Sequence, residues 1–167
     1  MTLRTATSSD LPWLRDLWEH PENGMFLTPF SGTDAEAAIE AGDLYVWEEG
    51  SELMGFAKVV SWVPRSFGIS ELAVSQQGRG TGRAMLTVLV DHLFSGREAH
   101  RLSLDAASDN WRAIRLFRKL GFVQEGVYRQ CWQRPDGIWV DCPHFSLLRQ
   151  EWDSRSVRSG SRGREAS

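Results

Sequence analysis

Three glycines at alternate positions, Gly78, Gly80 and Gly82, stand with Arg79 and Arg83 just before an apolar run that continues to Phe94. Glycine admits left-handed backbone and close approach to the main chain, and a helix entrance leaves its first N–H groups without intrahelical partners. Together with the partial positive charge of a helix start and two guanidinium groups, this arrangement suits a phosphate or pyrophosphate. Two common nucleotide signatures are excluded. A P-loop needs Lys-Ser/Thr after its last glycine, where Arg83-Ala84 stands, and the dinucleotide fingerprint needs Gly or Ala where Arg83 stands. On these residues alone, a glycine-rich turn without a ligand remains an alternative.

The elements that must position this loop follow from periodicity. Leu86, Leu89, Val90 and Leu93 mark one face of a helix after the glycines, and "FGISELAV" reads as the strand leading into them. "DLYVWEE" and "LMGFAKVVSWV" read as a hairpin around "GSE", and "HRLSLDAA" as a further strand. Asn110 or Asp109 caps a helix striped by Ala113, Leu116, Phe117 and Leu120 and ended by Gly121. "FVQEGVYRQCWQR" and "IWVDCPHFSLL" flank a "PDG" turn as a second hairpin. Ser9 is expected to cap an N-terminal helix carrying Leu11, Leu14 and Trp18. The order is α/β (α+β) with a mixed sheet.

Two motifs now carry a resemblance. Gln77, Gly80 and Gly82 match Q/R-x-x-G-x-G/A, and "NWRAIRLFRKLGF" is similar to N-x-x-A-x-x-L-Y-x-K-x-G-F, so the chain resembles the GNAT superfamily of N-acetyltransferases over roughly residues 2 to 150. The region "FVQEGVYRQ...DGIWVD" resembles the amino-acid and protein N-terminal acetylating branch. The resemblance implies a mostly antiparallel central sheet, helices on both faces and two splayed parallel strands that bind acetyl-CoA. It implies cofactor contacts from Leu72, Ala73, Val74, Gln77, Gly78, Arg79, Gly80, Thr81, Gly82 and Arg83, and from Asn110, Ala113, Phe117 and Lys119 of the second motif. The amides of 78–83 would hold the pyrophosphate, and backbone groups freed by the splay would meet the pantetheine arm.

The implied reaction is acetyl transfer from acetyl-CoA to a primary amine of a small molecule, an amino acid or a protein N-terminus. An alkyl amine is mostly protonated at neutral pH, so a base is needed. Glu71 is the first candidate, since the family often places a base on this strand, and Asp105 is the second. The usual tyrosine that would protonate the departing thiolate is replaced by Phe117, which leaves Tyr128 or water. That substitution also supports an alternative, a catalytically weak acetyl-CoA sensor. Trp13, Trp18, Trp47 and Trp62 would suit a compact, partly apolar acceptor.

The composition fits these readings. With 167 residues, 41% of them hydrophobic and 25% charged, the chain has the size and balance of one globular domain, expected over 1–152. Residues 153–167, rich in Ser, Arg and Gly, are expected to be a disordered tail. The net charge of −3 argues against nucleic-acid binding, and no apolar stretch is long enough for a membrane span. No apolar leader is evident, so a cytoplasmic location is expected, with homodimerisation left open. His20, His92, His100 and His144 are too scattered for a metal site, and none is expected. A "PDG" type I turn with a glycine bulge would set Cys131 opposite Asp141 and turn Cys142 to the other face, leaving two unpaired thiols.

Overall fold

A computed structural model describes residues 1–161, with side chains through Arg155. Its strands are β1 (Thr2–Thr5), β2 (Leu44–Glu49), β3 (Glu52–Val63), β4 (Ser66–Val74), β5 (Arg101–Asp105), β6 (Val123–Gln133) and β7 (Trp139–Leu148). The α-helices are α1 (Leu11–Trp18), α2 (Pro21–Gly24), α3 (Gly32–Glu40), α4 (Thr81–Ser95), α5 (Trp111–Lys119) and α6 (Arg149–Ser161). They surround one seven-stranded sheet of order β1-β2-β3-β4-β5-β7-β6. Every neighbouring pair is antiparallel except β4 and β5. This is the mixed sheet expected from the order of elements, and the mostly antiparallel one that the family resemblance implies.

Each face of the sheet carries its own core. On one face Leu86, Leu89, Val90 and Leu93 of α4 and Phe117 of α5 pack on Val59, Phe67, Leu102, Leu104 and Phe145. On the other, Leu14, Leu17 and Trp18 of α1 and Ala35 and Ala38 of α3 cover Leu44, Val46, Phe56 and Ala73. Burying two apolar faces of one sheet is how a chain of this length collects enough apolar area to offset its ordering entropy.

β4 changes side-chain frame partway along. Val59 pairs with Ile69 but Lys58 pairs with Glu71, so Ser70 is an extra, bulged residue. Upstream, Phe67 and Ile69 face the α4 core; downstream, Leu72 keeps to that side while Ala73 joins the α1 core, which places Glu71 on the α1 side as well. A bulge of one residue is what reverses a period-two pattern.

Several local expectations are corrected. The N-terminal helix is entered through a 3₁₀ turn (Ser8–Asp10) after Thr7, rather than capped by Ser9. There Asp10 accepts hydrogen bonds from the Thr7 amide at 2.7 Å and from Arg4 at 2.8 Å. The expected disordered stretch is helical over 153–161, and 162–167 lie outside the described residues. Trp152 stacks on Phe94 at 6.0 Å, the Arg149 Nε donates to the Ala99 carbonyl at 2.9 Å, and Arg155 donates to the carbonyls of Leu120 and Gly121. The "PDG" turn forms as expected, with Gly137 at φ 85°. Beyond it, a bulge between Tyr128 and Trp132 includes Gln130 at φ 47°. Cys131 falls in this bulge and does not take its expected place opposite Asp141; it is exposed, Cys142 is buried, and both thiols are free.

Candidate active site

β4 and β5 are paired only through Ser66–Arg101, Phe67–Leu102 and Gly68–Ser103, although both strands run further. Past that point the sheet is split, and the glycine loop lies at the end of β4. Gly78 and Gly80 have φ of 82° and 86°, which explains why glycine stands at both. A Cβ built at either would meet nothing within 4 Å, so the loop faces open space. Gly80 is the N-cap of α4 and gives no side-chain cap, which leaves the N–H groups of the first turn directed outward.

A recess of about 460 Å³ extends from this loop to α5 and the segment after α2. It is lined by Leu72, Ala73, Val74, Gln77, Gly78, Gly80, Thr81, Gly82 and Arg83, and by Asn110, Ala113, Phe117 and Lys119. Of the residues expected to meet the cofactor, Arg79 is outside this lining. Asn110 also caps α5, its Oδ1 accepting from the Ala113 amide at 3.2 Å. Arg112 and Arg115 join Arg83 and Lys119 at the recess, and Arg112 donates to the Gln77 side chain, tying α5 to the glycine loop. Open space, outward N–H groups and four cations fit a phosphorylated ligand such as the CoA pyrophosphate.

Some lining residues were not legible beforehand. Phe26 and Leu27 close one end of the recess, and Trp111 lines it while holding Arg112 and Arg115 against its ring at 5.4 and 5.8 Å. Of the tryptophans expected near the acceptor, Trp18 and Trp47 are buried in the cores, Trp13 packs against the α1 core, and Trp62 is exposed and lies over Gly68, where the pairing of β4 with β5 ends.

Because of the Ser70 bulge, Glu71 faces away from α4. The residue is 7% exposed, and its carboxylate accepts from the Thr28 hydroxyl at 2.6 Å and the Thr28 amide at 3.4 Å. Burial pushes the carboxyl above the ordinary glutamate value, opposed by the Thr28 hydrogen bonds and by Lys58, and aided by the negative charge of Asp105. Asp105 lies on the same face of β5, opposite His144 of β7. Although Asp105 presents surface to solvent, the protein around it pushes its carboxyl up, with His144 acting in the opposite sense. The structure thus brings the two candidate bases to one face of the sheet, one on each strand of the split. Tyr128, half exposed on β6, has its ring 4.9 Å from that of His144, the residue opposite Asp105, and like Glu71 and Asp105 it is outside the recess lining. Phe117 is buried against Phe122 and Phe145 at 6.3 and 5.8 Å. Among the described residues, no cluster of His, Cys, Asp or Glu could hold a metal ion.

Comparisons with known proteins agree with this architecture. An aminoglycoside N(6')-acetyltransferase type 1 of Klebsiella pneumoniae is 31% identical over 111 residues, which are 65% of this chain and 47% of that relative. The chain therefore spans about half the length of that curated relative. A ribosomal-protein-alanine N-acetyltransferase from Brucella melitensis shares the fold with a TM-score of 0.76 and 24% identity, over 89% of this chain and 99% of that one. So does a spermidine N-acetyltransferase from Vibrio cholerae, solved with CoA and spermine, with a TM-score of 0.79 and 21% identity over 90% and 96% of the two chains. Residues 9–122 match the acetyltransferase (GNAT) family model, and with the split strands and glycine loop in place the chain belongs to that family.

Proposed function

We propose that the protein transfers an acetyl group from acetyl-CoA to a primary amine, with Glu71 as the base that receives the amine proton. The observation that carries this reading is the split between β4 and β5, with a phosphate-binding loop at the end of β4 and a buried carboxylate beside the gap. Bound acetyl-CoA supplies the activated acetyl thioester. The first-turn amides of α4 with Arg83 and Lys119 hold its phosphates, and Leu72, Ala73 and Val74 orient the arm along β4. Glu71 takes the proton from the attacking nitrogen, directly or through water, at a carboxylate whose affinity for a proton is raised by burial. Thiolate release needs little help from an acid: with a thiol pKa near 8.5, it costs on the order of 2 kcal/mol at neutral pH, against roughly 7 to 11 kcal/mol gained from positioning.

Two carboxylates, Glu71 and Asp105, on the acceptor side favour a cationic small amine over an amino acid or a protein N-terminus. The relatives named for aminoglycoside and spermidine acetylation support the same preference. The second reading, an acetyl-CoA sensor with weak turnover, is favoured by Phe117, whose buried ring has no hydroxyl to offer. Free thiol measured on mixing the protein with acetyl-CoA and an aminoglycoside, spermidine, single amino acids or short peptides separates these readings. Glu71→Gln should lower the rate about 10- to 1,000-fold at neutral pH with acetyl-CoA affinity retained. Equal rates would remove Glu71 as base, and tight acetyl-CoA binding with no release on any amine would leave the sensor.

A further inference from the structure

The hydroxyl that meets Glu71 comes from a segment with no regular structure, 25–30, between α2 and α3. That segment is pinned from both sides. The buried Trp18 donates its indole N–H to the Thr28 carbonyl at 2.7 Å and stacks on Phe56 at 4.6 Å, and Trp132 of β6 donates to the Met25 carbonyl at 3.3 Å. Phe26 and Leu27 of the same segment line the recess. Thr28 is itself exposed, yet its hydroxyl and amide are the two hydrogen-bond donors to a carboxylate that is otherwise buried.

We propose that Thr28 is a positioning residue for Glu71: it fixes the carboxylate in its working orientation and couples that orientation to the segment flanking the acceptor side of the recess. The inference rests on Glu71 being the base. A buried carboxylate without donors reorients and protonates, because burial alone disfavours its charged form. The Thr28 hydroxyl acts against both outcomes, and the Trp18 indole keeps the hydroxyl in range. The charged groups facing Glu71 are Lys58 on β3, which favours the carboxylate, and Asp105 on β5, which disfavours it and is balanced in turn by His144 on β7. None of these is altered by a change at position 28.

The test is Thr28→Val, which keeps shape and removes the hydroxyl, beside Thr28→Ser, which restores it. Because Thr28 is exposed, Thr28→Val should leave the melting temperature near that of the parent. It should lower kcat/KM at neutral pH about ten-fold, the effect of one hydrogen bond to a charged group, and move the acid limb of the pH profile to higher pH. The loss should shrink as pH rises, and Thr28→Ser should recover most of the rate. In a Glu71→Gln background, Thr28→Val should cost little more. An unmoved acid limb with Glu71→Gln still strongly impaired would overturn the positioning of Glu71 by Thr28 and leave the base in place. If Glu71→Gln itself is without effect, the base assignment fails, and the positioning inference with it.

Discussion

Replacing Gly80 with Asp tests the anion-binding reading directly, and the structure sets its size. At φ 86° an L-residue is strained by roughly 1–2 kcal/mol, but its Cβ would meet no atom within 4 Å, so no clash adds to that cost. The new carboxylate stands at the N-cap of α4, where favourable interaction with the helix start offsets part of the strain. The folded state should therefore lose at most about 1–2 kcal/mol. Binding should suffer far more, because the carboxylate competes for the first-turn N–H groups and repels the ligand's phosphates. Losing two charge-assisted hydrogen bonds at roughly 1.5–3 kcal/mol each corresponds to a rise of at least about 100-fold in the CoA dissociation constant. Gly80→Ala carries the strain without the charge and should stay within about ten-fold. Isothermal titration with CoA, run beside thermal melting, reads both quantities. A folded Gly80→Asp protein with parental CoA affinity would refute the assignment of this loop to the pyrophosphate.

Two further predictions concern stability. Ending the chain after Leu148 removes the Trp152 stack on Phe94 and the Arg149 and Arg155 bonds to carbonyls, and should cost about 2–4 kcal/mol, seen as a lower melting temperature; unchanged melting would show that α6 is only loosely seated. Asp10 is held down to about 2 by its hydrogen bond with Arg4 and by those from Thr7, so its contribution is complete above the unfolded value near 4 and is lost as pH falls through about 2. Asp10→Asn should thus lower stability at neutral pH by about 1 kcal/mol and converge with the parent below about pH 2, as followed by urea titration at each pH.

Much of this molecule is legible in its sequence because the signals are local. Alternation marks the hairpins β2–β3 and β6–β7, 3.6-residue spacing marks α4, and Asn110 and Gly121 bracket α5. The glycine loop is likewise readable, since left-handed backbone leaves a residue-type signature. What escaped notice depends on contacts distant in sequence. Thr28 lies 43 residues from Glu71 and belongs to no motif. The Ser70 bulge leaves no mark in "FGISELAV", and the bulge around Gln130 defeats a register counted from the turn. The tail misleads because its Ser, Arg and Gly content argues for disorder, while its start is held by Trp152 and Arg155, single residues whose partners lie on α4 and after α5.

The Ser70 bulge makes β4 two half-strands joined in one ladder. Residues before it answer to the α4 core and residues after it to the gap between strands, so the two halves can change under separate constraints. Deleting Ser70 would leave a regular ladder in which Glu71 still pairs with Lys58 and keeps its face, whereas straightening the bulge with every residue retained would turn Glu71 towards α4 and Leu72 towards Thr28, exchanging a proton acceptor for a hydrocarbon at the gap. At this point in the chain the number of residues, and not their types alone, decides which way a half-strand faces.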